Sequence, residues 1–307
     1  MQLSPARYRH IAIGALVALV VIIVSGAAVR LTNSGLGCDD WPNCSSERFV
    51  DVSSKHAAIE QVNRLFTGIV GIAVIAAVLG SFRRTGGRRS DLVQLSVLLV
   101  LGVLANAVLG GISVLVDLHP IAVQGHLLLS MALIVTGAVL VRRSAEPDQV
   151  ERHRVVTGPT QRLTWLLFGL TWVAVFTGTL VTGAGPHAGD EEAKRLDLAI
   201  PAVARVHAAA VLTAIVVAIL IAWRIRQFGT DRKALMNALS TWIFVGVLQA
   251  AVGYIQYFND VPELLVGIHV AGATLVMLVS TQLVLDTTRP RQPDVSSAAP
   301  GQLVSQP

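Results

Sequence analysis

Eight long apolar runs dominate the sequence, and each is close to the twenty or so residues that a helix needs to cross a bilayer core. Only 14% of the residues are charged, against about 25% in a soluble globular chain. Strand-type alternation is not visible, so soluble enzymes, nucleic-acid-binding proteins and outer-membrane barrels are excluded. The predicted fold class is an all-α integral membrane protein with eight transmembrane helices. The runs lie at about residues 10–30, 57–82, 92–116, 120–141, 164–184, 199–222, 237–258 and 262–285.

The basic residues of this chain collect on one side of the predicted membrane. Of the 24 Arg and Lys residues, 17 fall at the N-terminus, in the loops after helices 2, 4 and 6, or in the tail. Because cytoplasmic loops carry the excess of Arg and Lys, this pattern predicts a multi-pass protein of the bacterial plasma membrane with both termini cytoplasmic. The tail is rich in Pro, Ser and Gln and is predicted to be disordered.

The two halves of the chain resemble each other. His126 and His269 are 143 residues apart, and so are Asp117 and Asp260. Four helices per half preserve orientation, so we predict two pseudo-symmetric four-helix bundles related by an axis along the membrane normal. Further pairs at the same or a neighbouring offset are Gly110 with Gly253, Asn106 with Gln249, and Asn63 with His207. Near the ends of helices 1 and 5, Ser25-Gly26 and Thr177-Gly178 lead into Gly-rich outer loops. The predicted units are an N-terminal half at 1–145, a cytoplasmic linker at 146–163, a C-terminal half at 164–286 and a tail at 287–307.

Three histidines, His126, His207 and His269, lie inside apolar spans. Counted along the helices, all three are roughly 8–10 Å from the outer end of their span, and Asn63 occupies the fourth equivalent position. Ionisable residues within membrane spans are costly and usually mark function. A single His could simply hydrogen-bond a neighbouring helix, but three at one depth in repeat register favour a binding site.

His207 and His269 lie at one depth on neighbouring helices, which is the arrangement that binds a haem iron from both faces. Small residues such as Gly267 and Gly272 leave room for a flat macrocycle, although ordinary close helix packing uses the same composition. Zinc or copper also binds paired histidines. No further Cys, Asp or His within the span completes a closed metal shell, so haem is favoured.

Helix 2 opens with Glu60, Asn63 and Arg64 on one face, since these residues are three and four positions apart. Two interpretations remain open for Glu60. It forms an ion pair with Arg64 at the helix end, or it faces the pocket of His126 and handles protons beside a bound cofactor. Arg64 and Arg205 are candidates to hold haem propionates as bidentate anchors.

Two outer loops carry distinctive residues. Cys38 and Cys44 are the only cysteines, and their place in the first outer loop favours a disulfide, with two free thiols as the alternative. The segment 183–190 is typical of a Gly/Pro turn, and His187 within it is interpreted as a solvated loop residue.

Together these features resemble the haem A synthases over about residues 10–285. The resemblance rests on the spaced membrane histidines and on three stretches of sequence: Arg-Leu-Thr-Asn-Ser-Gly-Leu-Gly-Cys at 30–38, Trp-Pro-Asn-Cys at 41–44, and the loop 182–190 with its Gly-Pro-His-Ala-Gly-Asp. It implies eight transmembrane helices in two halves, with a haem b bound in the C-terminal half by His207 and His269.

The resemblance also implies an activity. The family oxidises the C8 methyl of haem O to a formyl group by two successive hydroxylations and loss of water, giving haem A for cytochrome oxidase. The substrate site would lie in the N-terminal half at Glu60 and His126, and Cys38 and Cys44 would form the family's disulfide. The implied partners are haem O as substrate, membrane lipid, a haem O synthase and an electron donor for which the sequence shows no motif; no nucleic acid is expected.

One departure from the family pattern concerns helix 2. The family motif is Glu-x-x-His-Arg, whereas this chain has Asn63 in place of the histidine, between Glu60 and Arg64. An amide is a poor iron ligand compared with imidazole. We therefore hypothesise that His126 is the sole protein axial ligand of substrate haem, with Asn63 donating a hydrogen bond on the open face. The rival explanation is that this half has lost catalysis.

Two other functions are weighed against the enzyme. A bis-histidine electron-transfer protein without hydroxylase activity would titrate reversibly without converting haem O, and it would need centres on both faces, whereas the ligand candidates lie toward one side. A transporter built from repeats would need charges and broken helices near the midplane, which the apolar middles of the spans do not offer.

Overall fold

The computed structural model describes residues 2–87, 89–148 and 151–291. Within these ranges, eight helices are long and apolar enough to cross a membrane. Because the bilayer core offers the backbone no hydrogen-bond partners, helices that satisfy their own N–H and C=O groups are the expected solution. The predicted fold class is confirmed. The helices are α1 Pro5–Leu31, α2 Lys55–Arg83, α3 Ser90–Leu115, α4 Pro120–Ser144, α5 Gly158–Ala184, α6 Ile200–Gln227, α7 Gly229–Phe258 and α8 Glu263–Leu285.

The helices form two bundles, as the repeat predicts. In each half, the neighbouring helices pack in chain order and the first helix closes on the fourth. The halves meet through α1 and α4 on one side and α5 and α8 on the other. The remaining four helices present apolar side chains outward, including Ile72 at 70% exposure on α2 and Phe244 at 69% on α7. In a membrane these surfaces face lipid.

Four helix ends differ from the sequence prediction by five residues or more on the side of the molecule that carries both termini, here called the terminal face. Helix α1 begins at Pro5 rather than near residue 10. Helix α5 begins at Gly158 rather than near 164, α6 reaches Gln227 rather than 222, and α7 begins at Gly229 rather than near 237. The apolar runs mark the part of a helix that lies in hydrocarbon, and polar residues continue the helix beyond it. The predicted loop after helix 6 is therefore reduced to Phe228.

A short antiparallel sheet on the terminal face was not predicted. Strand β1, Arg152–Arg154, pairs with strand β2, Thr288–Pro290. The linker predicted at 146–163 therefore contains a strand, and the prediction of disorder from residue 287 is wrong at Thr288–Pro290. The part of the predicted tail at 292–307 lies outside the described residues. Strands of three residues are too short to show alternation, and each needs a partner far away in sequence.

The turns before α4 and α8 lie on the face opposite the terminal face, which keeps the label outer from the sequence prediction. They confirm the repeat at the level of the backbone. Asp117 and Leu118 have φ of 54° and 56°, and Asp260 and Val261 have φ of 57° and 56°. Consecutive left-handed residues other than glycine are uncommon. In each turn the second of these residues donates its N–H to the carbonyl five positions earlier, at 2.8 and 2.9 Å.

Asp231 in the first turn of α7 joins α7 to the start of α5. Its side chain is buried and accepts hydrogen bonds from the Thr157 N–H at 2.8 Å, the Thr157 hydroxyl at 2.8 Å and the Thr160 hydroxyl at 2.6 Å. The carboxylate thereby satisfies groups at the N-terminus of α5 and places negative charge near the positive end of that helix dipole.

We predict that Asp231→Ala lowers the free energy of unfolding by about 2–3 kcal/mol, because it leaves buried donors without an acceptor. The measurement is thermal unfolding of the purified protein in detergent micelles. Arg232→Ala is the matched control, since Arg232 is the next residue of α7 and is exposed. Equal losses in the two variants would contradict the structural role given to Asp231.

Candidate functional site

His207 of α6 and His269 of α8 face each other inside the C-terminal half. Their ring centroids are 6.4 Å apart and the rings are inclined at 74°. The His207 Nδ1–H donates to the Ala174 carbonyl at 3.0 Å, which leaves Nε2 free to bind a ligand. An ion bound to both rings at about 2.0–2.1 Å would hold two nitrogens roughly 4 Å apart, a spacing that this centroid separation accommodates.

His269 supports the same interpretation from the other side of the pair. Its Nδ1 is buried and has no hydrogen-bond partner among the residues that the structure describes. A buried polar nitrogen without a partner costs about 1–3 kcal/mol, so this ring has unused bonding capacity. The pair fits a haem iron held between two imidazoles.

Each of the three membrane histidines packs against a glycine of the preceding helix, in what we call a glycine notch. A Cβ built on the glycine would lie 3.0–3.2 Å from the imidazole Cε1, so a larger residue would displace the ring. The absence of a side chain lets the imidazole rest on the backbone of the neighbouring helix. In the sequence these glycines stand out only as repeat markers, and the contact with the imidazole is visible only in the folded structure. The notches are Gly110 with His126, Gly178 with His207 and Gly253 with His269.

His126 is presented in the N-terminal half much as His207 is in the other. Its Nδ1–H donates to the Asn106 carbonyl at 3.0 Å, so Nε2 is again the free nitrogen. The Asn106 amide donates to the Ser130 hydroxyl at 2.9 Å, which fixes α3 against α4 at this level. A hydrogen bond to the second ring nitrogen is how proteins orient a metal-binding imidazole.

Asn63 occupies the position on α2 that His207 occupies on α6. The Ser25 hydroxyl of α1 donates to Asn63 Oδ1 at 2.8 Å. In the C-terminal half, the Thr177 hydroxyl of α5 lies 3.2 Å from His207 Nδ1. The equivalent helix pairs, α1 with α2 and α5 with α6, therefore make the same kind of contact. The contacted side chain is an amide in the N-terminal half and an imidazole in the C-terminal half.

Glu60 is buried at the outer end of α2 and forms the ion pair that was one of its two interpretations. Its Oε1 accepts from Arg64 Nη2 at 2.6 Å and from Nε at 3.0 Å. Its Oε2 accepts from the Cys38 N–H at 2.8 Å. The carboxylate thus fixes the first outer loop to the helix; its role in proton handling stays a prediction.

The first outer loop lies over the N-terminal half. Cys38 and Cys44 are bonded, as predicted. Arg64 Nη1 donates to the carbonyls of Asp40 at 3.0 Å and Asn43 at 2.8 Å, which clamps the loop on both sides of Trp41. These bonds engage most of the Arg64 donors, and its predicted role as a propionate anchor remains a prediction.

Trp41 is a site residue to which sequence analysis gave no role. A Cβ built on Gly111 would overlap the Trp41 indole, so the ring lies directly against α3. Gly111 follows Gly110, which forms the notch for His126. The indole therefore covers the helix next to the histidine position. The Trp-Pro-Asn-Cys stretch was visible in the sequence, but only the folded loop shows what the ring contacts.

Arg205 lies on the exposed side of α6, where its Nε–H donates to the Pro201 carbonyl at 3.0 Å. It is two residues from His207 along the helix. The structure describes no ion pair that engages its guanidinium, and its predicted role toward a propionate remains a prediction.

The interpretation of His187 as a solvated loop residue is wrong. Its Nε2–H donates to the Val261 carbonyl at 2.7 Å, and the side chain is 18% exposed. Arg30 at the end of α1 donates to the His187 carbonyl at 2.6 Å and to the Thr182 carbonyl at 3.0 Å. His187 and Arg30 therefore link the two halves at the outer face. The residue that accepts the His187 hydrogen bond, Val261, is 74 residues away in the chain, and no local sequence pattern reveals this contact.

We predict that Arg64→Ala speeds reduction of the Cys38–Cys44 bond by dithiothreitol by roughly tenfold or more, because the loop then opens at lower cost. The measurement is the time course of thiol alkylation, read as a mass shift. Arg48→Ala in the same loop is the control, since the Arg48 side chain is 58% exposed and its 3.4 Å contact with Asp51 is peripheral. Equal rates in both variants would contradict the clamp.

Comparison with known proteins agrees with the geometry. The sequence profile of the family described as cytochrome oxidase assembly protein (COX15-CtaA) matches residues 9–189, more than half of the chain. A protein named Heme A synthase from Lysinibacillus sphaericus is 28% identical over 175 residues, which cover 55% of this chain and 56% of that protein. The one from Bacillus pumilus is 25% identical over 170 residues, covering 53% and 54%. The chain thus spans about half the length of these two relatives.

A third relative extends the similarity over both halves. The protein named Heme A synthase from Bradyrhizobium diazoefficiens is 26% identical over 336 residues, which cover 92% of this chain and 91% of that protein. This range includes every histidine position discussed above. The resemblance inferred from the sequence is confirmed, and the chain belongs to the cytochrome oxidase assembly protein family.

Proposed function

We propose that this chain is a haem A synthase, an enzyme that oxidises the C8 methyl of haem O to a formyl group. The reaction is two successive hydroxylations of one carbon, followed by loss of water from the diol. The observation that carries the proposal is the pair of facing imidazoles, His207 and His269, in one half, with the equivalent single imidazole, His126, in the other. Relatives named Heme A synthase support it.

The proposed resident cofactor is a haem b in the C-terminal half, which His207 and His269 would hold. When bound, this group would supply one-electron redox chemistry to the enzyme. The chain holds the two imidazoles ready for it. The Ala174 carbonyl fixes the His207 ring, and Gly178 and Gly253 let both rings rest on neighbouring helices.

The proposed substrate site is in the N-terminal half. His126 offers a free Nε2 to substrate haem, and Trp41 in the bonded outer loop covers the neighbouring stretch of α3 and keeps water away. Glu60 lies at the outer end of the same half, where we assign it the handling of protons. Arg64 is assigned to the propionates of substrate haem, and Arg205 on α6 to those of haem b. The substrate propionates stay near the interface while the apolar macrocycle and its tail enter from lipid.

The proposed setting is the bacterial plasma membrane with both termini in the cytoplasm. Basic residues on the terminal face support this orientation, and the bonded cysteines then lie on the oxidising side. The proposed partners are haem O, membrane lipid, a haem O synthase as the source of substrate and a separate electron donor.

The test is extraction and chromatography of haem from the full-length protein, co-expressed with a haem O synthase, together with a pyridine haemochrome spectrum. Haem b with haem A, or with a hydroxylated intermediate, is the expected result. Haem b with unreacted haem O and reversible redox titration would favour an electron-transfer protein instead. Protein that carries no haem would contradict the assignment of the histidines.

We expect His207→Ala and His269→Ala each to lose the haem b of the C-terminal half, because each variant removes one of the two imidazoles that would hold the group. The measurement is the ratio of haem absorbance to protein absorbance after purification. His10→Ala, at an exposed position near the N-terminus, is the control. Bis-histidine spectra retained in both membrane variants would exclude these ligands.

Glu60→Gln should reduce haem A production by at least about a hundredfold while haem b is retained, because the amide still accepts a hydrogen bond from Cys38 but no longer takes up a proton. The measurement is the haem A to haem O ratio in extracts. Glu47→Gln, at an exposed position in the first outer loop, is the control. Near-normal haem A output, with the Cys38–Cys44 bond still slow to reduce, would remove Glu60 from the chemistry.

A further inference from the structure

Three groups of α5 contact the His207 ring at or beside its Nδ1, in addition to the facing His269 ring. The Ala174 carbonyl accepts from His207 Nδ1 at 3.0 Å, and the Thr177 hydroxyl lies 3.2 Å from the same nitrogen. Gly178 completes the enclosure, since a Cβ on this residue would meet the imidazole Cε1 at 3.2 Å. A carbonyl, a hydroxyl and a glycine, spaced over five positions of one helix, thus fit one imidazole.

The same three groups recur on α1 opposite Asn63. They are the Ile22 carbonyl, the Ser25 hydroxyl and Gly26, with the spacing found on α5. The Ser25 hydroxyl is close to both the Ile22 carbonyl, at 3.2 Å, and Asn63 Oδ1, at 2.8 Å. The lining that holds an imidazole in the C-terminal half is therefore present in the N-terminal half.

The two halves differ in the side chain that faces this lining, which is the His207 imidazole in one half and the Asn63 amide in the other. Asn63 is shorter than a histidine and does not reach the glycine. Among the described residues, no atom lies within 4 Å of a Cβ built on Gly26, whereas the one built on Gly178 meets the His207 ring. Ile22, Ser25, Gly26 and Asn63 are all partly buried, so this space is a recess where α1 packs against α2, and it is reached from the surface of the bundle.

We propose that this space, bounded by Ile22, Ser25, Gly26 and Asn63, is a binding site for one small neutral nitrogen heterocycle of imidazole size. The ligand donates its N–H to the Ile22 carbonyl or to Asn63 Oδ1, as His207 does to Ala174. By the repeat, this ligand corresponds to the His207 ring, and His126 corresponds to His269 across the pair. The site rests on the proposed function, because it lies on the side of substrate haem that His126 leaves open.

The probe is imidazole, titrated into the full-length protein purified with bound haem O and followed by the Soret difference spectrum. The native chain should give a saturable shift. Gly26→Val fills the space and should weaken imidazole binding at least tenfold. Gly14→Val is the matched control, since it lies on the same helix at an exposed position with open space around it.

Asn63→His provides a second test that does not enlarge any packed residue on α1. The introduced imidazole should occupy the space itself, so this variant should show, without added ligand, the spectrum that the native chain reaches at saturation. It should then give no further shift. This variant keeps the inference testable if Gly26→Val does not fold.

The outcomes separate this inference from the proposed function. Chromatography of extracted haem before the titration shows whether haem O is bound. If it is absent, the substrate assignment and the inference both fail. If haem O is bound but imidazole gives no shift, or if Gly26→Val titrates like the native chain, the inference alone is overturned.

Discussion

The contact between a histidine on one helix and a glycine on the preceding helix is the interaction on which the site depends. Helices in lipid gain little from burying apolar surface against each other, so close packing and polar contacts hold them together. A glycine at the crossing lets the neighbouring imidazole rest on backbone, and a carbonyl of the same helix fixes the ring. One arrangement thereby sets the depth, the orientation and the free nitrogen of His126 and His207.

Built on this shared arrangement, the two halves diverge at their outer ends. The N-terminal half carries the bonded loop with Trp41, held by Glu60 and Arg64, above the level of His126. The C-terminal half instead has two imidazoles whose spacing suits one shared ligand, and its outer loop joins the halves because the His187 carbonyl accepts a hydrogen bond from Arg30. The same four-helix arrangement thus presents one imidazole beneath a bonded loop in the N-terminal half and two facing imidazoles in the C-terminal half.

The sequence predicted what depends on local composition. Twenty-residue apolar runs gave the eight helices, and the offset between His126 and His269 gave the repeat. What it missed depends on partners distant in the chain. His187 looks like a loop residue until Val261 is brought beside it, and Trp41 acquires a place only through Gly111. Helix ends on the terminal face were missed because hydropathy follows the edge of the hydrocarbon and not the end of hydrogen bonding.

The pairing of β1 with β2 bears on the order in which the chain is made. The linker strand is synthesised before the C-terminal half, but its partner strand follows the last helix. During synthesis the linker therefore remains without its partner until all eight helices have left the ribosome. Arg142 on α4 likewise has no ion-pair partner until Asp286, which follows α8, has been synthesised; the two side chains are 2.9 Å apart in the folded protein. The terminal-face closure between the halves is consequently a late step of biogenesis, and a chain truncated after α8 would keep its helices while lacking this closure.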